Sequence, residues 1–294
     1  MNLQPLFAAP IVEQAVPDRP YGGPISEVFL VTTTTESVVV RVLRPTGVPN
    51  VAFWWGCRHL FGLDPCNLHA ISIINQQLAD LSSIPVPKVL RTGVVDDRPC
   101  LVVERLEGQA LNSFLDQPAA LLEALGIALA RIHARTFDIC GTGDGSVRYP
   151  VLEFHDRLRM CLTELVRRFY ADDVLITSAL DEMCRWAAVL PAPDTGTFIM
   201  VDMDPSQFLA VGERLTALVD TEAYVIGPRA LDLVALEYVL DEESAAAVAA
   251  GYQSVLPPPD LTSMRPVYRY LYRLLSIQGP VALDEWLAWP CLFR

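Results

Sequence analysis

Three carboxylates and one amide stand at the ends of a predicted β-hairpin in this chain of 294 residues. The four side chains are those of Asp202, Gln207, Asp220 and Glu222. Between them, the apolar runs 208–211 and 215–219 flank Gly-Glu-Arg, a pattern typical of two strands joined by a short turn. A three-residue turn over 212–214 makes Gln207 face Val219. The ribbon then brings the four polar side chains to one end.

Such a cluster of oxygens can hold a metal ion and move a proton. Like charges at short range repel, and a bound divalent cation is the usual remedy. Oxygen donors without His or Cys suit Mg²⁺, which proteins bind through one or two carboxylates together with substrate phosphates. A neighbouring carboxylate, that of Asp202, can accept the proton of a hydroxyl nucleophile. The pattern therefore favours phosphoryl transfer at a site of the kinase type.

The elements that must position these side chains separate into a strand-rich part and a helix-rich part. β-Branched runs and short polar turns predict antiparallel strands early in the chain, with one helix over 68–81 among them. Apolar spacing and composition predict later helices over 119–134, 155–170, 176–189, 231–255 and 262–276. Residues 1–20 are Pro-rich and aperiodic, which predicts a loose N-terminal arm. The predicted domains are this arm, a strand-rich lobe over 21–107 and a helix-rich lobe over 108–294.

Composition and charge exclude several function classes. The formal net charge is −13, from 22 Lys and Arg against 35 Asp and Glu. This argues against nucleic-acid binding, because nucleic-acid binders need a basic face. No uninterrupted apolar run reaches about 18 residues, so no membrane span is expected. The seven cysteines are scattered without a C-x-x-C pair, and the N-terminus lacks a secretory signal pattern, which favours reduced thiols in the cytoplasm.

Three motifs resemble those of the aminoglycoside phosphotransferase and choline kinase family, a branch of the protein-kinase-like superfamily. That family carries H-G-D-x-H-x-x-N, then D-x-D/E, then G-D-P-x-x-D-L. The matching segments are Met-Val-Asp-Met-Asp-Pro-Ser-Gln over 200–207, Asp-Thr-Glu over 220–222 and Gly-Pro-Arg-Ala-Leu-Asp-Leu over 227–233. Further likeness over 84–90 and 125–134 extends the resemblance to roughly residues 20–240, in the right order.

The resemblance implies an α+β, bilobal fold of the protein-kinase type. Its small N-lobe would be an antiparallel sheet with one main helix, and its larger C-lobe would be mostly helical. It also implies ATP and Mg²⁺ as cofactors. The residues expected at the nucleotide are Gly22, Gly23 and Ser26 over the phosphates, Arg41 in place of a phosphate-binding lysine, and the hinge residues Glu104 and Leu106 beside the adenine.

The same resemblance assigns the catalytic and metal-binding roles. Asp202 would be the catalytic base, and Gln207 and Asp220 would be metal ligands. Glu222 would assist the second metal or its water. Asp232 would brace the catalytic loop.

Several positions depart from the family pattern. Met200 and Asp204 stand where the family has histidines, and Gln207 replaces the metal-binding asparagine. Arg41 offers a planar fork where a lysine ammonium is usual, and it would neutralise charge that develops during transfer. The helix over 68–81 contains no Glu, so the usual Lys–Glu ion pair is missing or rebuilt.

Two functions remain open at this point. The first is ATP- and Mg²⁺-dependent transfer of the γ-phosphoryl group to a hydroxyl. The acceptor would be a small molecule. Because the chain carries a net negative charge, a cationic acceptor is favoured. Alternatively, it would be a Ser or Thr of a peptide in natural-product biosynthesis, with a partner lyase that eliminates the phosphate. The second function is that of a pseudokinase scaffold, favoured by the departures, which holds a partner enzyme or peptide without turnover.

Overall fold

The computed structural model describes residues 1–17 and 25–293. Its strands are β1 Ile11–Ala15, β2 Ser26–Thr33, β3 Ser37–Leu43, β4 Val89–Val95, β5 Arg98–Glu104, β6 Gln109–Ala110, β7 Thr136–Phe137, β8 Ile139–Thr142, β9 Arg148–Pro150, β10 Gly196–Met200, β11 Phe208–Val211, β12 Arg214–Leu218 and β13 Tyr224–Gly227. Its helices are α1 Ala52–Phe61, α2 Leu68–Leu81, α3 Ala119–His133, α4 Phe154–Phe169, α5 Val174–Val189, α6 Ala230–Leu236, α7 Glu242–Gln253, α8 Arg265–Leu275 and α9 Leu283–Leu287. None of the helices in these ranges is long and apolar enough to cross a membrane.

Valine-rich strands build the N-terminal sheet. The strands β1, β2, β3, β5 and β4 lie in that order, and neighbouring strands are antiparallel. Alternation along β3 buries Val38, Val40 and Val42 in the core on one face of the sheet. Val39 and Arg41 therefore point to the opposite face, toward a cleft. The expected fold class is confirmed: an antiparallel sheet occupies the N-terminal region and helices dominate the C-terminal region.

Residues 1–17 are not the loose arm that their sequence predicts. Leu3 and Phe7 are buried against the sheet, and β1 pairs with β2. Arg91 fastens this segment, because its guanidinium lies over the Phe7 ring and donates to a nearby backbone carbonyl. Since β1 is an edge strand with Val12 exposed, it lacks the alternation that marks a half-buried strand.

Within the first hundred residues, the described part contains two α-helices, α1 and α2, where the sequence predicts one. α1 carries Trp54, lacks a capping side chain and includes the helix-weakening Gly56, so its helical signal is weak. It ends at Gly62, whose φ of 77° is the left-handed conformation common after a helix. α1 packs against α4, α8, β8 and β13, and its buried residues join the C-terminal core. The lobe boundary at residues 107–108 stays a prediction.

The central sheet of the C-terminal region carries the acidic segments. Its strands lie in the order β7, β10, β13, β8 and β9, and every residue of β10 is buried. β11 and β12 form a hairpin, and β6 pairs with β11. The single helix predicted over 231–255 is in fact two. α6 ends at Leu236, and α7 begins again after Asp241, whose side chain accepts a hydrogen bond from Ser244 N.

Helices α3 and α7 touch backbone to backbone. Gly126 permits this approach, since a β-carbon there would lie 2.1 Å from the Val248 carbonyl oxygen. Gly251 does the same from the other side, where a β-carbon would lie 2.0 Å from a carbonyl oxygen of α3. The contact places His133, at the end of α3, beside Tyr252 on α7.

Candidate active site

A buried hydrogen-bond network holds the segment that follows β10. Asp232 is fully buried on α6, and its Oδ1 accepts a hydrogen bond of 2.9 Å from Met200 N. His133 Nε2 lies 3.2 Å from Asp232 Oδ2, and His133 Nδ1 lies 3.0 Å from the Tyr252 hydroxyl. Asp232 therefore fixes the end of the strand, as expected of a residue that braces the catalytic loop.

Asp202 lies at the start of this braced loop. Its side chain is half-buried, and burial raises its pKa to about 7, with further contributions from the carboxylates of Asp220 and Asp204. The effect of Asp220 means that the two carboxyl groups lie within electrostatic range of each other. A carboxyl that titrates near neutral pH is suited to accept a proton during a reaction.

The β11–β12 hairpin brings the two acidic segments together, although its turn differs from the expected one. Val211 pairs with Arg214, so the turn has two residues instead of three over 212–214. Its glycine takes a φ of 58°, which suits a two-residue hairpin turn. A bulge at Thr216 in β12 then restores the register. Gln207 faces Val219 as predicted, and its carbonyl accepts a hydrogen bond of 2.8 Å from Val219 N.

Arg41 joins the N-terminal sheet to the acidic end of the hairpin. It lies on β3, and its side chain is 12% exposed. Nη1 donates to Asp220 Oδ1 at 2.8 Å, while Nη2 donates to the Glu222 carboxylate and to Ser26 Oγ, the latter at 3.3 Å. Asp220 takes a left-handed φ of 60°, uncommon outside glycine but more frequent for Asp. One arginine therefore bridges both candidate metal-binding carboxylates.

Helix α2 meets the same segment through a neutral hydrogen bond. Asn75 is buried; its Nδ2 donates to the Pro87 carbonyl at 2.9 Å, and its Oδ1 accepts from the Thr221 hydroxyl. The strand-to-helix ion pair that the resemblance implies is thus rebuilt. The strand cation pairs with Asp220 and Glu222, and the helix contributes an amide.

A cleft opens between the N-terminal sheet and the hairpin. Apolar side chains from both elements form its walls: Val28, Leu30, Val39, Leu101, Val103, Leu209 and Val219. Arg41 and Asp220 also line it, together with Glu104 and Leu106 from the segment that ends β5. Apolar walls with a few convergent charged groups suit an aromatic base and its phosphates.

The oxygen donors beside this cleft fit a magnesium ion that also binds phosphate. Gln207 is 4% exposed, and its Oε1 is buried without a hydrogen-bond partner in the described structure. Such an oxygen is costly unless a donor or a cation meets it. Within the described ranges, no group of three or more His, Cys, Asp or Glu side chains is arranged to hold a metal. A metal here would therefore use Gln207, the carboxylates of Asp220 and Glu222, and substrate phosphates.

Most of the residues that the sequence singles out lie together. One hydrogen-bond network joins Ser26, Arg41, Asp220 and Glu222. Gly22 and Gly23, expected over the phosphates, lie outside the described residues. Sequence reasoning missed Thr221 and the roles of Leu209 and Val219 as cleft walls. Leu209 and Val219 could have been found from the hairpin pattern, because a hairpin that lies beside a site turns one of its faces toward that site.

The sequence matches the phosphotransferase enzyme family over residues 19–267. The chain belongs to this family. The match spans strands β2 to β5 of the N-terminal sheet, the loop that carries Asp202 and the hairpin. The family expected from the motifs is confirmed, and the protein is a kinase-like phosphotransferase. No curated protein matches the sequence.

Solved structures of other phosphotransferases share the fold. The macrolide 2′-phosphotransferase MphH from Brachybacterium faecium is 16% identical, with a TM-score of 0.62 over 97% of this chain and 95% of that chain. The aminoglycoside enzyme APH(2″)-IIia, solved with GDP and kanamycin, is 17% identical, with a TM-score of 0.63 over 97% and 93%. A putative fructosamine-3-kinase from Haemophilus somnus is 12% identical, with a TM-score of 0.61 over 95% and 91%. At these identities the likeness concerns the fold of the phosphotransferase.

Proposed function

We propose that this phosphotransferase moves the γ-phosphoryl group of ATP, with Mg²⁺, to a hydroxyl group of an acceptor. The position of Asp202 carries the proposal. It lies on a loop that Asp232 braces, within electrostatic range of Asp220 and near the cleft that Arg41 lines. A base, a metal-binding carboxylate and a phosphate-binding cation are the parts that kinase-type transfer requires.

Asp202 would orient the acceptor hydroxyl and take its proton. As the acceptor oxygen bonds to the γ-phosphorus, the bond to the β–γ bridging oxygen breaks and ADP leaves with the electron pair. A carboxyl with a pKa of about 7 is basic enough to receive that proton near neutral pH. Arg41 would donate to phosphate oxygens through its planar fork. Bound Mg²⁺, held by Gln207, Asp220 and Glu222, would supply neutralising charge at those oxygens.

The nucleotide would occupy the cleft between the sheet and the hairpin. Its adenine would lie between the apolar walls, beside Glu104 and Leu106. Its phosphates would point toward Arg41 and Ser26, which already share a hydrogen bond. Gly22 and Gly23, which lie outside the described residues, keep the role that the sequence predicts for them, over those phosphates.

A second cavity borders the catalytic loop at Asp204 and Pro205, and we assign it to the acceptor. The rest of its lining comes from residues 238–242 and from Asn112, Ser113, Leu115, Gln278, Trp289, Pro290 and Leu292. Three of its described lining residues are acidic and none is Lys or Arg: the acids are Asp204, Asp241 and Glu242. This charge favours a cationic acceptor, such as an amino sugar or amino alcohol. A Ser or Thr in a basic peptide also offers a hydroxyl group beside positive charge. A partner lyase would be required only if the phosphate is later eliminated.

Turnover tests the proposal directly. The enzyme is incubated with ATP, Mg²⁺ and a panel of amino sugars, amino alcohols and hydroxyl-bearing basic peptides, and both ADP and phosphorylated acceptor are measured. We expect acceptor-dependent ADP formation that falls about 10²- to 10⁴-fold in Asp202→Asn. Full turnover in Asp202→Asn would remove this residue from the mechanism.

The acceptor cavity has a matched pair of variants. Glu242 lines the cavity, whereas its neighbour Glu243 is exposed on the same helix and does not. Glu242→Gln should raise the KM for a cationic acceptor and leave the KM for ATP unchanged, while Glu243→Gln should change neither. Equal effects of the two variants would place the acceptor elsewhere.

One observation favours a pseudokinase scaffold as the second candidate. Arg41 pairs with both Asp220 and Glu222, the carboxylates that a metal would use. Thermal unfolding with ATP, with and without Mg²⁺, separates the two functions. A ligand at 100 times its dissociation constant stabilises the folded state by about 2.7 kcal/mol. Stabilisation that requires Mg²⁺ supports the enzyme, and stabilisation indifferent to Mg²⁺ supports the scaffold.

A further inference from the structure

The hydrogen bonds of Arg41 indicate a second role for this residue. The inference rests on the proposed function. We infer that its guanidinium occupies the position of the divalent cation in the free enzyme, so that the metal binds only together with the nucleotide. Asp220 and Glu222, the two carboxylates that would hold a metal, both accept hydrogen bonds from Arg41. A cation that approached them in this state would meet a fixed positive charge.

The shape of the side chain suits this role. Asp220 and Glu222 are separated by one residue, and the two terminal nitrogens of the guanidinium reach one carboxylate each. A lysine ammonium is a single point charge and cannot present the same planar fork to two acceptors. Arginine in place of lysine at position 41 therefore allows one side chain to pair with both carboxylates.

The surroundings hold both partners in place. Ser26 Oγ accepts a third hydrogen bond from the guanidinium, at 3.3 Å. Thr221, which lies between the two carboxylates, donates to buried Asn75 on α2. The carboxylate of Glu222 is 9% exposed, so water screens its pairing with Arg41 only weakly. The ion pairs are therefore a built part of the site and differ from flexible surface contacts.

One predicted metal ligand is left over in this arrangement. The Gln207 Oε1 atom is buried and has no hydrogen-bond partner in the described structure. A buried oxygen without a donor is costly unless a donor or a cation meets it, and the backbone carbonyl of the same residue already bonds to Val219 N, next to Asp220. Phosphate oxygens of an arriving nucleotide would accept the hydrogen bonds of Arg41 and release Asp220 and Glu222 to the metal.

The exchange predicts coupling between nucleotide and metal, and such coupling is reciprocal. Mn²⁺ serves as the probe, because its free concentration is measured by electron paramagnetic resonance. The full-length enzyme is titrated with Mn²⁺ alone and then with saturating AMP-PNP, and a protein-free titration corrects for Mn²⁺ bound by free nucleotide. We expect the nucleotide to tighten Mn²⁺ binding to the enzyme by about 5- to 150-fold.

Variants separate the guanidinium from other causes of coupling. Arg41→Met should bind Mn²⁺ without nucleotide at least about fivefold more tightly than the parent enzyme. Arg44→Met is the matched control, since exposed Arg44 pairs with half-buried Glu27 and neither residue lines the cleft. It should keep the parent's affinity.

The outcomes are distinct. Equal Mn²⁺ affinity of the parent enzyme with and without AMP-PNP, with AMP-PNP still bound, overturns this inference and leaves the proposed function standing. The same holds if Arg41→Met folds but binds Mn²⁺ no better than the parent. If Arg41→Met fails to fold, Arg41→Lys takes its place, because an ammonium cannot present the planar fork to both carboxylates, and it should also bind Mn²⁺ without nucleotide more tightly than the parent enzyme. Failure of AMP-PNP to bind the parent enzyme under any condition overturns the proposed function itself.

Discussion

Two clusters of arginine and carboxylate in this phosphotransferase have opposite ratios of charge. In the cleft, one arginine, Arg41, faces the two carboxylates of Asp220 and Glu222. In the C-terminal region, two arginines, Arg265 and Arg269, face the single carboxylate of Glu237. The first cluster has negative charge in excess and lines a cleft, whereas the second has positive charge in excess and is closed.

The carboxylate at the centre of the C-terminal cluster is saturated with hydrogen bonds. Glu237 is fully buried, and it accepts from Arg269 Nη2 at 2.7 Å and from Arg265 Nε at 3.2 Å. It also accepts from the backbone N–H groups of Leu292 and Phe293, at 2.9 and 3.3 Å. These contacts fasten Leu292 and Phe293 to the Glu237 carboxylate, which also holds two arginines of α8.

The difference teaches how the same two residue types serve structure or chemistry. A carboxylate whose acceptor sites are all filled by fixed donors can only hold the fold together. A pair of carboxylates that shares one cation remains able to exchange it. Access and the ratio of charges, more than the presence of an ion pair, therefore distinguish the functional cluster from the structural one.

The largest effect is expected from Glu237→Gln. Among the described residues, the substitution removes the only carboxylate that Arg269 and Arg265 meet, and breaking a buried pair in this way costs about 3–5 kcal/mol. The free energy of unfolding in urea measures the loss, with exposed Glu243→Gln as the control. A loss below about 1 kcal/mol would show that the C-terminal cluster is not the structural one.

Arg41→Met is expected to lower turnover about 10²- to 10³-fold, because it removes a donor to the transferred phosphate. Without metal its free energy of unfolding should fall less than that of Glu237→Gln, since Asp220 is 33% exposed and water screens the repulsion that remains. Mg²⁺ should raise the Tm of the variant more than that of the parent enzyme. A loss of stability equal to that of Glu237→Gln would erase the distinction between the clusters.

Asp202 offers a third case, a half-buried carboxylate without an arginine. Its folded pKa of about 7 lies above its ordinary value of 3.8, so the folded state holds an extra proton between these values. Stability therefore falls as pH rises across that interval, and the penalty is complete above pH 7. At pH 8 the free energy of unfolding of Asp202→Asn should be about 1–3 kcal/mol higher than that of the parent enzyme, so the variant is the more stable. At pH 4 the two free energies should be nearly equal. Equal differences at both pH values would exclude this titration as the cause.

Arg44→Met is expected to give the smallest effect. Arg44 and Glu27 are 40% and 30% exposed at 3.2 Å, and exposed pairs of this kind contribute about 0–1 kcal/mol. The free energy of unfolding in urea, measured at low and high salt, gives the reference value against which the losses at the other arginine–carboxylate pairs are compared. A salt-sensitive loss above about 1 kcal/mol would mean that exposure does not separate these pairs.

Local patterns predicted much of the fold. The helix over 68–81 has the predicted bounds, and the predicted helix over 119–134 ends one residue earlier. Both sequences have apolar residues at helical spacing, so the local signal agrees with the final packing. α1 was missed because its aromatic residues and Gly56 weaken that signal, and only its contacts with the C-terminal helices explain it.

The candidate site could be predicted in part for a similar reason. The juxtaposition of Gln207 and Val219 follows from a short hairpin, and it survived an error in turn length because a bulge compensates. The pairing of Arg41 with Asp220 spans 179 positions along the chain, and no local pattern reports it. The resemblance to a family placed both residues at the site but implied a Glu on the helix as partner of the strand cation, and the helix of this chain contributes Asn75 instead.

The close contact of α3 with α7 has a mechanical consequence. With no β-carbon at Gly126 or Gly251, the two helices have almost no gap into which either could shift, so they behave as one rigid body. That body ends in His133 and Tyr252, whose hydrogen bonds lead through Asp232 to the catalytic loop. A methyl group added at Gly126 would wedge the helices apart and disturb the reaction centre without touching any ligand.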